Sequence, residues 1–562
     1  MAAPPSFPSP AELDQIAAAP APAKLFDDKA KDVPRWDLRG PLPDAMDDRL
    51  HEDSSSWGKL LDDAAAARPG ALVKTEAMHC VAREGALFYL ENDALPAEPL
   101  QRFIAARCGA PSSHLSTGVQ GLKYDERMPM AQVEEAIRTP AKAMAKGLLD
   151  AGEQLAGIAF VKKKGKAAVA LVAQPRQVRV DAVPLVPAAG GKVTVRGEVV
   201  GQTASVRGVV NRGRYGFAKC TVDLSVPLPR FSLDCPALPE DEAAWIEVAA
   251  FAPGRVLGAS VLEMLVWPSG KPGGTYARLA EGKGSKGAGD AVPATDMVEA
   301  LNRVRKEAGL PAVSLAPAES ATAQRLVPHY FGALLGGGSE QTADLIALGL
   351  RAGWQVEGTV RNGTFVSTWV RGANDGGDVV SAALSRPFGR EALLDPSVVK
   401  VAIGTARDPK DGVQASLISA YALFDGYRHE GDAIKVVQRL TALRAARGLP
   451  PPLVMPEVVD AAMRAAQAVQ AGHEEPGRAL QQLLDAASAR IGQTAHGWVA
   501  ETSSLDEMTL PEALLRRPTL PIAVGVAHRK VQGQPWARFV VYLVTTGLDG
   551  TNTAKAGGPL PG

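Results

Sequence analysis

Three times along this 562-residue chain the pattern Gly-x-Ala is followed by a second glycine eight residues after the first. It stands as Gly157-Ile158-Ala159 with Gly165, as Gly404-Thr405-Ala406 with Gly412, and as Gly525-Val526-Ala527 with Gly533. A short apolar run follows each time, at 167–172, 415–423 and 539–544. A polar, Gly-bearing centre ahead of an apolar run predicts a β-hairpin. Upstream stands Arg-x-Gly, as Arg107-Cys108-Gly109, Arg351-Ala352-Gly353 and Arg490-Ile491-Gly492, each closing an Ala/Leu-rich helical stretch. Glycine there suits the left-handed position that ends a helix. The second and third occurrences share more. Arg305, Gly309-Leu310-Pro311 matches Arg444, Gly448-Leu449-Pro450, and Glu391-Ala-Leu-Leu matches Glu512-Ala-Leu-Leu, each glutamate 13 residues before the repeat glycine. Motifs in one order at one spacing predict an internal repeat, here three copies of one α/β unit.

The rest of the chain divides around these copies. Residues 1–48, with prolines at 4, 5, 8, 10, 20, 22, 34, 41 and 43, read as an extended leader with room for short helical turns only. Residues 49–175 hold the first copy. Residues 176–280 alternate Val/Thr runs with Gly and Pro, at 192–196, 204–210, 217–224 and 245–250, which predicts an antiparallel, immunoglobulin-like β-sandwich. A Gly/Lys linker follows at 281–292, then copies at 293–425 and 430–546 and a polar tail at 547–562. The expected fold is α/β multidomain, three α/β repeats with an inserted β-sandwich.

Composition narrows the function classes. The chain carries 61 Lys+Arg against 61 Asp+Glu, a balance with no bulk attraction for nucleic acid or an anionic membrane. Aromatic residues are 5%, so the cores must rest on Ala, Val and Leu. No apolar run reaches the roughly 18 residues of a membrane-spanning helix. The N-terminus has no charged and apolar signal-peptide pattern, which leaves a cytosolic protein or a form whose leader peptide is already removed. Four cysteines fall into two local pairs, Cys80 with Cys108 and Cys220 with Cys235. That fits two disulfides and an oxidising compartment; the alternative is four buried free thiols.

The second copy resembles the CAP superfamily (cysteine-rich secretory proteins, antigen 5, pathogenesis-related proteins), in its bacterial secreted branch. The resemblance rests on Leu301-Asn-Arg-Val-Arg305 with Gly309-Leu-Pro, on the helical stretch 323–333, on Ser385-Arg-Pro-Phe-Gly-Arg390-Glu-Ala-Leu-Leu, and on the closing hairpin 401–423. The third copy is similar in a more degenerate form and the first in outline. The resemblance implies an α-β-α sandwich per copy, in a secreted, periplasmic or cell-surface protein. The family's cleft commonly holds two His and two acidic residues. Where its Ser-Pro-x-His-Arg segment supplies imidazole, this chain has Gly389, and the third copy has Leu510. No catalytic group, metal or cofactor is therefore expected. A binding groove in the second copy would be lined by His329, Trp354, Glu357, Trp369 and Arg390.

Other chemistry is scarce. Gly282-Lys-Gly284-Ser-Lys-Gly287 spells a dinucleotide fingerprint, but Pro293 discourages the helix such a loop must open, so it reads as linker. His496 and His528 with Glu501 would need the fold to converge them before they could hold a metal. Lys162-Lys-Lys164 reads as a solvated hairpin turn. Trp354 and Trp369 flank 356–366, a candidate strand pair turning at Arg361-Asn-Gly-Thr. The expected function is a non-enzymatic secreted or surface scaffold contacting a protein, polysaccharide or lipid partner, with self-assembly through leader and tail. The alternative is a metal-dependent hydrolase or ligand-binding protein using a residual cleft in the second copy.

Overall fold

The computed structural model describes residues 7–547 apart from 21–29, 67–70, 112–114, 149–151, 189–190, 254, 256–257, 271, 278–289, 336–338, 409–411, 430 and 506–507. Most of the 281–292 linker and nearly all of the 547–562 tail lie outside the described residues.

Three mixed sheets share one strand order. Each consists of a short edge strand, a parallel neighbour that opens a hairpin, the hairpin's return strand, and an antiparallel outer strand. In unit 1 these are Leu72–Lys74, Gln154–Lys163, Lys166–Pro175 and Ser116–Lys123. In unit 2 they are Ser314–Leu315, Val398–Arg407, Val413–Leu423 and Val360–Arg371. In unit 3 they are Leu453–Val454, Pro521–Lys530, Ala537–Thr546 and Ala495–Thr502. Helices cover both faces. In unit 2, helices Pro317–Leu335 and Glu340–Ala352 pack on one face with Phe365, Trp369, Ala415 and Leu417. Helices Ala294–Glu307, Gly376–Leu384 and Pro387–Leu394 cover the other with Val366, Ile403, Ile418 and Ala420. A return strand buried on both faces reads as continuously apolar. In unit 1, Ala167, Val169, Leu171 and Ala173 face one layer while Ala168, Ala170 and Val172 face the other. The small side chains there let the helices sit close on the sheet.

The motif glycines have a steric reason. Gly157, Gly404 and Gly525 each stand in the strand that opens the hairpin, opposite Val172, Leu417 and Tyr542. A Cβ on any of them would overlap helix backbone, at Met78, Ala323 and Ala462 respectively. Gly109, Gly353 and Gly492 take φ of +79°, +65° and +66° at the ends of helices, as expected of Arg-x-Gly. Arg305 and Arg444, both fully buried, do the same work in units 2 and 3. Arg305 donates to the carbonyls of Pro311, Leu393 and Val398. Arg444 donates to those of Pro450, Leu514 and Arg517. The shared Arg, Gly-Leu-Pro and Glu-Ala-Leu-Leu motifs are the two ends of this one tie.

Strands between Val178 and Val266 form two four-stranded antiparallel sheets over a common core of Val193, Val195, Leu233, Val210, Ile246 and Leu262. The stretch 217–224 is two strands. The chain leaves one sheet after Gly216–Lys219 and joins the other at Thr221–Val222. Cys220, between them, is disulfide-bonded to Cys235. Cys80 and Cys108 are bonded to each other and staple helix Glu76–Asn92 to the end of helix Glu98–Arg107.

Two expectations need correction. The N-terminal segment contains a nine-residue helix, Pro10–Ala18. Proline is tolerated at a first helical position, and Ser9 with Glu12 forms a capping box. Further along, three described stretches of the segment pair with other parts of the chain. Ala30–Lys31 lies against Leu95–Pro96, Arg35–Asp37 against Thr275–Ala277, and Ala45–Met46 against Val183–Pro184. Buried Glu84 accepts the amides of Arg39 and Gly40. Second, no turn occurs at Asn362-Gly363. Val360–Arg371 is a single strand with a register shift between Val360 and Asn362, and its Gly363 lies where the carbonyl of Arg351 approaches the backbone too closely for a Cβ.

Candidate functional site

The five residues expected to line a groove in unit 2 do not share one surface. His329 is buried within helix Pro317–Leu335. Trp369 packs edge-on against Phe331 on the same side of the sheet. Trp354 donates its indole N–H to the carbonyl of Pro8, 2.8 Å away. Glu357 is almost fully exposed and meets Lys400 at 3.2 Å. Arg390 lies in helix Pro387–Leu394, across the sheet from the two tryptophans.

The segment carrying Arg390 has a different role. From Ser385 to Glu391, most positions bond to the β-sandwich or to unit 1. The Ser385 carbonyl accepts from Arg102 at 3.1 Å and from Asn211 at 3.3 Å. Arg386 donates to Glu98 at 2.7 Å and to Glu263 at 3.4 Å. The Phe388 amide donates to Glu247 at 3.3 Å. Arg390 donates to the carbonyls of Gly213 and Gly216, both at 3.0 Å, and Glu391 accepts from Arg207 at 2.7 Å. Gly389 sits inside this seam, and a Cβ there would overlap the carbonyl oxygen of Ala383. In unit 3, Leu510 is core, packed with Leu514 and Leu515.

At the centre of the seam three parts of the chain meet. Arg102 of unit 1 lies 3.3 Å from Glu263 and stacks 3.8 Å over the Trp245 ring. Arg102, Glu247 and Glu263 are each under 5% exposed. Burial, and then the neighbouring Glu263 carboxylate, push the Glu247 carboxyl up. Arg386 is pulled down by burial, but Glu263, Glu98 and Glu247 outweigh that and hold it above its usual range. A buried ion cluster of this kind adds little net stability over apolar packing, but losing one of its partners is costly.

Two histidine pairs form a second set of polar contacts. His429 Nε2 lies 2.8 Å from His528 Nδ1, and its Nδ1 lies 2.9 Å from Asp432. Tyr427 donates to Asp432 at 2.9 Å, and Phe424 stacks on His528 at 4.0 Å. In unit 1, His51 and His79 stack at 4.1 Å. His79 Nδ1 bonds the carbonyl of Ile158 at 2.8 Å. Gln324 plays that part in unit 2, donating its side-chain amide to the carbonyl of Thr405 and also accepting from the Thr405 amide at 2.9 Å. The triad considered from sequence is not assembled: Glu501 pairs with Arg529 at 2.6 Å, and His496 stands opposite Thr545. Among the described residues, no three His, Cys, Asp or Glu side chains are placed to hold a metal ion, and no helix is long and apolar enough to cross a membrane. Lys163 and Lys164 lie at a tight hairpin turn, with Lys163 on Glu91 at 2.7 Å. The Gly282–Gly287 fingerprint lies outside the described residues.

Sequence reasoning missed the seam. Its partners lie up to 288 residues apart, and nothing local pairs them. One signal was present: Glu247 interrupts an otherwise apolar strand, Ala244–Phe251, and Glu263 the apolar run Val261–Val266.

No family model matches the chain, and no curated protein matches it. Among solved structures, the chain is similar to a cysteine-rich secretory protein from Staphylococcus aureus subsp. aureus Mu50. The identity is 10%, the coverage 47% of this chain and 83% of that one, and the TM-score 0.15.

Proposed function

We propose that this protein is a non-enzymatic scaffold of the cell exterior, built from three degenerate CAP-like modules around a β-sandwich. The observation that carries the reading is the use of Ser385–Glu391. This is the segment that resembles the family's cleft motif, and here it joins unit 2 to the sandwich and to unit 1. A side chain at Gly389 would collide with Ala383, so the position cannot present imidazole without backbone movement. General acid–base work needs a titratable group within reach of substrate, and the segment's charged groups are engaged across the seam. The shared strand order, the equivalent glycines and the Arg305 and Arg444 ties support descent of the units from one module. The two disulfides suit an oxidising compartment.

The test is metal and binding analysis of protein purified without chelator. The scaffold reading expects no stoichiometric zinc or calcium, and no uptake on titration. Stoichiometric metal lost on substituting His329 or Glu357 would overturn it and promote a metal-dependent hydrolase.

A further inference from the structure

The helix Pro10–Ala18 is held by a small set of specific contacts. Leu13 is 2% exposed and fills a notch over Gly349 in helix Glu340–Ala352. A methyl group at Gly349 would come within 2.5 Å of Leu13 Cδ2. Around the notch, Trp354 binds the carbonyl of Pro8 at 2.8 Å. Arg325 meets Asp14 at 2.7 Å, with both side chains at least half exposed. Phe7 stands edge-on to Trp536 of unit 3, 4.8 Å between ring centres. A helix this short is marginal by itself, so the groove supplies its order.

The remainder of the N-terminal segment is fastened elsewhere, through 30–31, 35–37 and 45–46. Residues 19–29 separate the helix from the first of these pairings. Lifting the helix therefore leaves those pairings intact. What results is an arm whose docking depends on one buried leucine, attached to a body held without it, with the same notch on every other copy of the chain. The arm's exposed Asp14 faces a cation, Arg325, at the rim of the groove, so arm and groove are complementary in charge as well as in shape.

We propose that the groove between helices Pro317–Leu335 and Glu340–Ala352, centred on Gly349, is a helix-docking site that takes Pro10–Ala18 from a second copy of this chain as well as from its own. Arm and groove are different surfaces, so exchange between copies is head-to-tail and builds rings or open arrays. Within one copy a tethered arm competes at an effective concentration on the order of mM, so exchange shows at high protein concentration. The inference stands on the Leu13 and Gly349 geometry and is independent of any family relationship of the units.

The test uses full-length chains. One carries Asp14→Cys, another Arg325→Cys, and a third carries both. Neither change touches the notch, and the exposed ion pair they remove contributes little. The four native cysteines are disulfide-bonded and do not compete for a bis-maleimide crosslinker. The double variant, crosslinking within itself, is the reference. Mixing the two single variants is expected to give a product of twice the chain mass. Its yield should rise with concentration and incubation and vanish when the arm also carries Leu13→Asp. A mixture that stays at single-chain mass while the reference crosslinks overturns the proposal. So does a reference that fails to crosslink, because the helix then does not occupy the groove.

Discussion

Arg386 Nη2 lies 2.7 Å from Glu98 Oε1, although 288 residues separate them in the chain. The same guanidinium reaches Glu263 of the β-sandwich, so one side chain joins three parts of the protein. Removing one partner of a buried charge cluster costs more than the cluster contributes, because the remaining charges lose their compensation. Arg386→Ala should lower unfolding stability by about 3 kcal/mol, read by urea denaturation. Arg386→Lys should recover only part, since an ammonium cannot address two carboxylates with a planar fork. A change below about 0.5 kcal/mol for the alanine variant would show that the seam is not held here.

Gly157, Gly404 and Gly525 should respond alike to alanine. Each Cβ would overlap backbone of the covering helix, and forced displacement in a packed layer costs about 1–3 kcal/mol. Hydrogen exchange should localise the loss to unit 1, 2 or 3 according to the site changed. A neutral substitution at any one of them would break their equivalence.

Non-reducing peptide mapping should recover Cys80 with Cys108 and Cys220 with Cys235, and no other pairing. Replacing Cys80 and Cys108 by serine should cost about 2–4 kcal/mol, with the loss centred on helices Glu76–Asn92 and Glu98–Arg107. Four free thiols in the oxidised protein would refute both statements.

Acid should weaken unit 3. Burial, and then neighbouring His429, hold His528 down to about 4, with Asp425 opposing. The unfolded chain therefore binds a proton that the folded chain refuses as pH falls through the ordinary histidine range. Stability from this group is complete above about pH 6.5 and is lost as pH drops toward 4. Burial would raise Asp432, but the hydrogen bonds from His429 and Tyr427 hold it low, so it stays anionic through that window. Because His528 is only half-buried, the expected loss is about 1–2 kcal/mol. Stability measured at pH 7.5 and 4.5 should differ by less in His528→Gln than in the unsubstituted chain. An equal difference would remove His528 as the cause. His79, lowered by burial and by His51, acts in the same direction in unit 1.

The hairpins, the helix-ending glycines and the sandwich strands were legible because each is written in neighbouring residues: a turn, a cap, an alternation. The Arg305 and Arg444 ties were legible as motifs although their meaning was not, since Arg305 and Leu393 reveal a bond only once the helix is laid beside its loop. The groove was not legible. His329, Trp354 and Arg390 were grouped as the lining of a cleft that the resemblance implies, and the sheet puts Arg390 on the far side from Trp369. The Pro-rich start read only as an extended leader because its partners are strands and helices of other units, which no local pattern announces.

Those distant partners also set a schedule. The carbonyl of Pro8 is bound by Trp354, 346 residues later, and Phe7 rests on Trp536. During synthesis at 5–20 residues per second, Pro8 waits about 17–70 s for that tryptophan to be made. Unit 1 and the sandwich can close around 30–46 well before then. The helix Pro10–Ala18 thus seats only after partners made far later in the chain, and throughout that interval the nascent chain offers a free arm to any finished neighbour.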